Sequence, residues 1–432
     1  MAILRQIPMA IRLQKEWFAI NYASAVAENQ PNKNRMNKEL SDFAERLREA
    51  ILSEGRVPRS PNSQMGEGDS YNSSLRDFNS LALELFGLQF RHNGAYRKIC
   101  EARNRTPQTI EHWTQIPAVP TTAFKELELS CIPLQERAAV FHSSGTTEQR
   151  PSRHFHNVES LAVYEVSLWS WFEQNIFANS KFKIQNSKLV VLTPPPEQAP
   201  HSSLVHMFET IRQKLGASKS TFVGKMVADG SWALDFGAVL SVLDDNSKFK
   251  THNSKLVLGT AFSFVHLLDF LAERNLRFNL PAGSRVMETG GYKNRSRAMS
   301  KEELYALFKE RLGVSSENII CEYGMSELSS QAYSVKSDES QVTSQLDATR
   351  HSSLITHHFR FPPWSRVQII SPETGLEVAD GETGLIRIYD LANVFSVAAI
   401  QTEDLGIRRG DGFELIGRAQ MAETRGCSLM SA

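Results

Sequence analysis

Cysteine is scarce in this chain, and long apolar runs are missing from it. Its 432 residues include four cysteines, Cys100, Cys131, Cys321 and Cys427, and no two of them form a CxxC pair. Without such a pair the sequence predicts neither a zinc site nor a disulfide framework. Sparse cysteine favours the reducing cytoplasm as the location of the protein. Because no apolar run reaches the roughly 20 residues that a membrane-spanning helix needs, we expect no membrane span.

An excess of charge of either sign is also missing. The 48 Lys and Arg residues equal the 48 Asp and Glu residues, so the formal net charge is zero. Nucleic-acid-binding domains usually carry a basic face, and no basic-aromatic module stands out here. We therefore expect no nucleic-acid partner and no electrostatic attraction to an anionic membrane surface.

The composition along the chain predicts three regions. Residues 1–75 form an extension with one amphipathic helix, since Leu40, Phe43, Leu47 and Ile51 recur at helical spacing, and a flexible linker rich in Ser, Pro, Gly and Asn. Residues 76–415 form the core. Residues 416–432 form a short C-terminal tail.

The core alternates between strand and helix patterns, which predicts an α/β fold with a mostly parallel sheet. The strand candidates are KLVVLT from Lys188, KLVLGT from Lys255, SRVMET from Ser284 and NIICEY from Asn318, each separated from the next by a helix-period segment. After residue 360 the pattern changes to short strands with Gly-rich turns. That change predicts a small β-rich subdomain packed on the sheet.

One sequence repeat interrupts the core. Residues 179–190 and 246–257 match at ten of twelve positions, NSKFKIQNSKLV against NSKFKTHNSKLV. Two copies this far apart do not make a solenoid. Because surface loops tolerate extra residues, we interpret both copies as insertions in loops.

Polar residues follow the predicted strands at the point where each strand ends. These are Thr193, Thr260, Thr289 with Gly290, and the run from Tyr323 to Glu327. In open α/β sheets, ligands bind at this edge. Loops are often polar without binding a ligand, so none of these positions alone establishes a ligand-binding site.

The stretch SSGTT, from Ser143 to Thr147, follows a short apolar run. A small hydroxyl-rich turn after a strand exposes N–H and O–H groups to phosphate oxygens. The Walker lysine is absent, which excludes a P-loop, whereas Arg150 and Arg153 can bind phosphate bidentately. A turn of this composition can also be purely structural.

Two later motifs carry further candidates. In CEYGMSEL, Glu327 is suited to holding Mg²⁺ on a triphosphate and Tyr323 to packing on a nucleobase; the alternative is a loop-capping glutamate beside a core tyrosine. In TEDLG, Asp404 can accept hydrogen bonds from both ribose hydroxyls, and Arg418 in the following GR can reach a phosphate or the ribose. A turn aspartate can equally be structural.

The order and spacing of these motifs resemble the adenylate-forming superfamily. More closely, residues 76–432 resemble the acyl-protein synthetase (LuxE-like) family, through WTQIPAVPTTAFKE, FHSSGTT, SSLVHMFE, METGGYK, CEYGMSEL, IYDLAN, TEDLG and GFELIGRA. The resemblance implies the large N-terminal domain of an adenylate-forming enzyme, with its mobile C-terminal domain absent or reduced to a short tail. It implies ATP and Mg²⁺ as cofactors, and a ligase that activates a fatty acid and passes it to a protein thiol.

Carried over residue by residue, the resemblance implies several roles. Glu327 assists Mg²⁺, Asp404 holds the ribose with Arg418 nearby, and Cys427 carries the acyl group before a fatty-acid reductase subunit accepts it. The remaining implied nucleotide contacts are Ser143, Ser144, Gly145, Thr146 and Thr147 at the phosphates and Tyr323, Gly324 and Ser326 at the adenine and its phosphates.

The sequence departs from the wider pattern at three places. Glu148 replaces the glycine after SSGTT and the following lysine is missing, so we expect Arg150 or Arg153 to supply the positive charge at the catalytic step. Gln420 stands where the superfamily has a hinge aspartate, and the chain ends soon after Arg418. The sequence is compatible with three hypotheses about function. The protein activates a long-chain fatty acid, it activates another acid for secondary metabolism, or it is a degenerate family member that binds nucleotide or acyl chains without turnover. Cys427 can also be an ordinary tail residue.

Overall fold

The computed structural model describes residues 33–54, 75, 77–143, 150–177, 188–216, 220–228, 230–244, 254–290, 296–297, 299–335 and 358–418. In this part of the chain, no helix is long and apolar enough to cross a membrane. The helices are α1 (Lys33–Glu54), α2 (Phe78–His92), α3 (Gly94–Ala102), α4 (Ala123–Glu126), α5 (Val158–Phe177), α6 (Ser203–Lys214), α7 (Phe236–Leu243), α8 (Ala261–Glu273) and α9 (Lys301–Leu312).

The strands begin and end close to the predicted positions. KLVLGT is a strand over its whole length, and NIICEY is one from its second residue onward. The strands are β1 (Val119–Pro120), β2 (Ala139–His142), β3 (Arg153–His156), β4 (Lys188–Val191), β5 (Thr221–Phe222), β6 (Gly224–Met226), β7 (Trp232–Leu234), β8 (Lys255–Thr260), β9 (Arg285–Thr289), β10 (Ile319–Tyr323), β11 (Ala332–Val335), β12 (His358–Arg360), β13 (Ser365–Ile370), β14 (Thr383–Asp390), β15 (Ala399–Arg409) and β16 (Gly412–Arg418).

A 12-stranded sheet organises the fold. Its order is β13-β14-β15-β16-β12-β11-β10-β9-β8-β4-β5, with β1 paired to β15. The strands from β10 to β5 are parallel, and the connections between them include α6, α8 and α9. The predicted α/β fold with a parallel sheet core is therefore confirmed. Two hairpins, β2–β3 and β6–β7, lie outside this sheet.

The parallel strands are buried on both faces. Along β8 every residue is buried, and Val257 belongs to one hydrophobic cluster while its neighbours Leu256 and Leu258 belong to another. Because successive side chains point to opposite faces of a strand, the two clusters lie on opposite sides of the sheet. This explains why the strands read as continuous apolar runs rather than as alternating patterns.

The strands after residue 360 form the predicted β-rich region, which lies at one end of the large sheet. β12 pairs with β16 and β11 pairs with β12, so the C-terminal strands continue the large sheet as an antiparallel extension. The last strand, β16, runs on to Arg418, three residues beyond the predicted boundary at residue 415. Residues 419–432, with Gln420 and Cys427, lie outside the described residues.

The repeat is partly a sheet element. Residues 188–190 of the first copy lie in β4 and residues 255–257 of the second lie in β8, so the prediction of loops is wrong for these ends. The two strands are parallel neighbours, and Lys188, Leu189 and Val190 pair with Lys255, Leu256 and Val257 in the same order. Residues 179–187 and 246–253 lie outside the described residues.

The predicted N-terminal helix exists and packs on the core. Leu40, Phe43, Leu47 and Ile51 are all buried, and full burial of such a side chain contributes about 1.5–3 kcal/mol. Ser41 Oγ of α1 donates a hydrogen bond of 2.6 Å to Glu159 of α5. The helix is therefore part of the folded body rather than an appendage to it.

Helix α9 shows how the local sequence sets the ends of an element. Ser300 caps its first turn in a reciprocal capping box with Glu303, which satisfies two backbone N–H groups. Gly313 follows the last turn at φ 67°, a left-handed conformation that glycine adopts without strain. Gly313 therefore ends the helix.

Candidate active site

The polar residues at the strand ends share one edge of the sheet. β10, β9, β8 and β4 are consecutive neighbours, so their carboxyl ends lie side by side. Thr260 is paired in register with Thr289, and its hydroxyl also caps helix α8. Thr193 follows β4 and is fully buried. The polar residues that follow the predicted strands therefore lie at neighbouring strand ends, on one edge of the sheet.

Two segments from distant parts of the sequence meet beside this edge. The Ser152 N–H donates to Ser143 Oγ at 3.1 Å, which ties together the two described ends of the SSGTT loop. Ser152 Oγ lies 3.4 Å from Ser326 Oγ, and His154 Nδ1 lies 2.9 Å from the Ser326 carbonyl oxygen. The hydroxyl-rich loop and the YGMSE motif are thus adjacent. Residues Ser144, Gly145, Thr146 and Thr147 lie outside the described residues.

Glu327 is buried next to these hydroxyl groups. Ser326 Oγ donates to Glu327 Oε2 at 3.0 Å. Burial raises the pKa of the Glu327 carboxyl, and hydrogen bonds from Ser152 and Ser326 act in the opposite direction. A buried carboxylate with few partners favours a bound cation, because a cation offsets the cost of its desolvation.

The donor set around Glu327 fits Mg²⁺. In the described part of the chain, no group of three or more His, Cys, Asp or Glu side chains is arranged to hold a metal ion. Mg²⁺ is usually bound by one or two carboxylates together with phosphate oxygens and water, and it prefers oxygen ligands throughout. One carboxylate beside the hydroxyls of Ser152 and Ser326 meets that requirement.

Tyr323, Asp404 and Arg418 form a second group. Tyr323 Oη donates to Asp404 Oδ2 at 2.8 Å, and Arg418 Nε lies 3.4 Å from Asp404 Oδ1. The pairing of β15 with β16 places Asp404 opposite Arg418 in register. Burial raises the pKa of the Tyr323 hydroxyl, with the Asp404 charge adding to the effect.

The ring of Tyr323 lies in an aromatic cluster. It makes edge contacts with Phe359, Phe361 and Phe413, the nearest at 5.3 Å between ring centroids, and the residue is only 7% exposed. The structure thus gives Tyr323 a core environment on its ring and a polar contact at its hydroxyl. Its predicted packing on a nucleobase stays a prediction.

The arginines differ in their surroundings. Arg150 is exposed at the end of the SSGTT loop, and the side chain of Arg418 is 81% exposed. Arg153 lies in β3 with its guanidinium 5.7 Å from the Phe155 ring centroid, and its buried Nε has no hydrogen-bond partner among the described residues. Arg153 pairs in register with His142, next to Ser143, so both candidate arginines flank the loop that lacks a lysine.

The histidines near the loop are poor anion ligands. Burial lowers the pKa of His154 to about 4, and burial together with neighbouring histidines holds the pKa of His156 well below its usual range. Both rings are therefore neutral at pH 7. His142 stacks on His201 at 4.7 Å, and burial and the His201 charge lower its pKa as well.

Two acidic residues near the site were not assigned roles from the sequence. Asp390 lies in the IYDLAN motif and is fully buried, with its carboxylate bonded to the backbone of Ser329 and to the hydroxyl of Ser330. Glu322 precedes Tyr323, is also buried, and accepts a hydrogen bond from Thr289. Both acidic residues stand at or next to the end of an apolar strand, and this position in the sequence could have marked them as candidate site residues.

Cys321 is buried in β10. Its Sγ lies 3.6 Å from Lys301 Nζ, and burial and the Glu288 charge hold its pKa well above the usual range. A thiol held in its protonated form is a weak nucleophile. Cys321 is therefore a poor acyl acceptor.

Sequence comparisons relate this chain to known proteins. A family model described as "Acyl-protein synthetase, LuxE" matches residues 68–432. A long-chain-fatty-acid--luciferin-component ligase of Aliivibrio fischeri is 22% identical over 380 residues, covering 83% of this chain and 88% of the relative. Its counterpart in Vibrio harveyi is 22% identical over 356 residues, covering 79% and 83%.

Solved structures show a shared fold. A 2-hydroxyisobutyryl-CoA ligase in an open conformation, in complex with 2-HIB-AMP and CoA, superposes with a TM-score of 0.56 at 14% identity. The match covers 84% of this chain and 80% of that one. The same ligase in its postadenylation state, in complex with 2-HIB-AMP, also gives a TM-score of 0.56 and covers 84% of this chain and 73% of that one. The fold is therefore that of adenylate-forming enzymes.

Proposed function

The chain belongs to the LuxE acyl-protein synthetase family and is an ATP-dependent ligase, and from this premise we propose that it activates a long-chain fatty acid as an acyl-adenylate and transfers the acyl group to a protein cysteine. The observation that carries the proposal is the meeting of Ser143, Glu327 and the Tyr323–Asp404–Arg418 group beside one edge of the parallel sheet. These groups come from four separate segments and match the needs of a bound nucleoside triphosphate.

The first half-reaction joins two anions. A fatty carboxylate oxygen attacks the α-phosphorus of ATP and pyrophosphate leaves, so cations and N–H donors have to offset the repulsion. We assign Arg150 and Arg153 to this task, with Ser143, Ser144, Gly145, Thr146 and Thr147 at the phosphate oxygens. Mg²⁺ supplies further neutralisation of phosphate charge when bound, and Glu327 would hold it.

The nucleoside is assigned to the second group of residues. Asp404 accepts hydrogen bonds from the ribose hydroxyls while Tyr323 and Arg418 hold its carboxylate in place. Gly324 and Ser326 lie in the loop next to the adenine. Because Tyr323 is anchored on three phenylalanines, its hydroxyl is a rigid support for Asp404.

The second half-reaction forms a thioester. The thiol loses its proton to solvent and the thiolate attacks the acyl carbon. The C–S bond forms, the bond from the acyl carbon to the oxygen that bridges it to phosphorus breaks, and AMP leaves with that bridging oxygen. We assign the thiol to Cys427, since Cys100, Cys131 and Cys321 are all buried and burial raises the pKa of each. A fatty-acid reductase subunit is the proposed acceptor, and a reducing cytoplasm, which keeps a thiol free, is the proposed setting.

ATP–pyrophosphate exchange across a panel of acids tests the proposal. Exchange with tetradecanoate and similar long-chain acids is expected; exchange only with short or aromatic acids would favour an enzyme of secondary metabolism. No exchange with any acid would favour a degenerate member. The isosteric variant Asp404→Asn is expected to lower exchange about 10- to 100-fold, because a hydrogen bond to a charged group contributes about 1.5–3 kcal/mol.

Labelling with a radioactive long-chain acid and ATP tests the acyl acceptor. Cys427→Ser is expected to abolish covalent labelling while pyrophosphate exchange continues, and Cys131→Ser serves as the buried-cysteine control. Labelling that persists in Cys427→Ser would reject the assignment.

The missing lysine is tested separately. Arg150→Ala combined with Arg153→Ala is expected to remove exchange, whereas Arg277→Ala, an exposed arginine paired with Glu310, leaves it unchanged. Exchange at the wild-type rate in the double variant would reject the two arginines as the source of positive charge.

A further inference from the structure

A buried turn, residues 390–393, holds the loop that carries Glu327. The fully buried Asp390 carboxylate accepts a hydrogen bond from the Ser329 N–H at 3.0 Å and one from Ser330 Oγ at 2.7 Å. It also accepts from Ser365 Oγ at 3.0 Å and from the Ala392 N–H at 3.0 Å. Four donors on one carboxylate compensate its removal from water.

The other end of the turn binds Glu327 itself. Asn393 Nδ2 donates to the Glu327 carbonyl oxygen at 2.9 Å and to the Val397 carbonyl oxygen at 3.1 Å, and Asn393 is 1% exposed. Asn393 therefore holds the 326–330 loop at Glu327, and Asp390 holds it at Ser329 and Ser330. The Glu327 side chain, at the start of this anchored stretch, faces the hydroxyls of Ser152 and Ser326.

Helix α2 supports the turn from behind. Gln89 is fully buried, and its Nε2 donates to the carbonyl oxygens of Asn393 at 2.8 Å and Val394 at 3.2 Å. Its Oε1 accepts from the Ala398 N–H at 2.9 Å. A continuous set of buried hydrogen bonds therefore runs from α2 through the turn to Glu327.

Resting on the proposed function, we infer that Asp390 and Asn393 are positioning residues that hold the Glu327 carboxylate in place for a Mg²⁺–triphosphate. Neither residue touches the nucleotide in this assignment. They fix the backbone at the Glu327 carbonyl group and at the next residues of the loop, Ser329 and Ser330, in the way that outer hydrogen-bond partners orient metal ligands in other sites. Burial raises the pKa of Asp390, and the Ser330 hydroxyl and the other donors oppose that shift and favour its charged form.

Isosteric exchanges separate this role from simple packing. In Asp390→Asn an amide group replaces one carboxylate oxygen, so one of the donors around it, such as the Ser329 N–H, faces another donor. In Asn393→Asp an oxygen faces the Glu327 carbonyl oxygen and repels it. Ser330→Ala removes a single donor to Asp390, and it provides a milder variant should either exchange prevent folding.

Lys255→Met is the matched control. Lys255 is also buried, and its Nζ donates to the carbonyl oxygens of Val242 and Leu243 at 2.6 and 2.8 Å. It begins β8, so it lies at the opposite end of the parallel strands from Thr260 and the candidate site. Its loss removes buried hydrogen bonds without touching the 326–330 loop.

Two measurements on the full-length chain decide the inference. The first is the Mg²⁺ concentration that gives half-maximal ATP binding, and the second is deuterium uptake of peptides covering residues 324–331. Asp390→Asn and Asn393→Asp are expected to raise the Mg²⁺ requirement at least about 10-fold, and to speed exchange in 324–331, with Ser330→Ala intermediate. Lys255→Met is expected to change neither.

Unchanged exchange and an unchanged Mg²⁺ requirement in the Asp390 and Asn393 variants would overturn the inference. So would equal changes in Lys255→Met, since those would indicate general destabilisation. Failure of the wild-type chain to bind ATP would instead reject the proposed function. In that case deuterium uptake in residues 324–331 still shows whether the turn holds the loop.

Discussion

Replacing Glu322 by glutamine should make the protein more stable at alkaline pH. Glu322 lies in β10 with 4% of its surface exposed, paired in register with Thr289 on one side and Tyr333 on the other. Burial raises the pKa of its carboxyl to about 7, against an ordinary value of 4.5. The Thr289 hydroxyl, which donates to it, only partly offsets that rise.

The size of the effect follows from the pKa. Because the folded state favours the protonated carboxyl, its contribution to stability is fully present below pH 4.5 and is lost as the pH rises to about 7. At 1.36 kcal/mol for each pKa unit, the wild-type protein is less stable by about 3 kcal/mol once the group is fully ionised. Glutamine keeps an oxygen acceptor for Thr289 and never ionises, so Glu322→Gln avoids this loss.

Urea unfolding at pH 5 and pH 8, followed by tryptophan fluorescence, measures the difference. The gain of Glu322→Gln over the wild type should be about 2–3 kcal/mol larger at pH 8 than at pH 5. Thr289→Val, which removes the donor that favours the ionised carboxyl, should make stability fall more steeply with pH. A gain of equal size at both pH values would refute the reasoning, because it would show that the effect does not depend on ionisation.

Three further predictions concern single contacts. Arg418→Ala should cost less than about 1 kcal/mol in unfolding free energy, since its pairing with Asp404 is at the surface, yet should raise the KM for ATP; calorimetry and exchange kinetics together check this. Trp364→Phe deletes a fully buried indole donor to Ser167 Oγ at 2.8 Å and should lower the free energy of unfolding by about 1–3 kcal/mol in urea titrations. Gly313→Ala should lower that free energy by about 1 kcal/mol, because alanine is strained at φ 67°; no change would refute the left-handed conformation.

The parallel half of the sheet was predictable because its signals are local. Strands such as KLVLGT are continuous apolar runs, and each is followed by a helix with its own start and stop residues, as at Ser300 and Gly313. The joining of β12 to β16 was not predictable in this way. That pairing joins residues about fifty positions apart, and the local sequence of neither strand indicates which other strand it pairs with.

In the candidate site, too, some residues could be predicted from the local sequence, whereas the contacts between distant residues could not. The hydroxyl group of Ser143 and the carboxyl groups of Glu327 and Asp404 pointed to these residues, because their chemistry is visible in the sequence. The prediction from the sequence was wrong about the setting of Asp404, which lies within β15 and not in a turn. The contact of Asp390 with Ser329 joins residues 61 apart, so only the fold shows that they are partners. Tyr323 illustrates the same limit, since its ring environment is set by phenylalanines that come later in the chain.

Because the strand ends of the two repeat copies pair in register, the elements between the copies form a unit that could be removed from one edge of the sheet. Both copies lead into neighbouring strands from the same side and at the same register. An in-frame exchange between them would remove β4, α6, β5, the β6–β7 hairpin and α7 as one unit, and would join α5 directly to β8. The strands that carry Thr289 and Tyr323 would keep their order, so this edge can be shortened while the centre of the sheet stays intact.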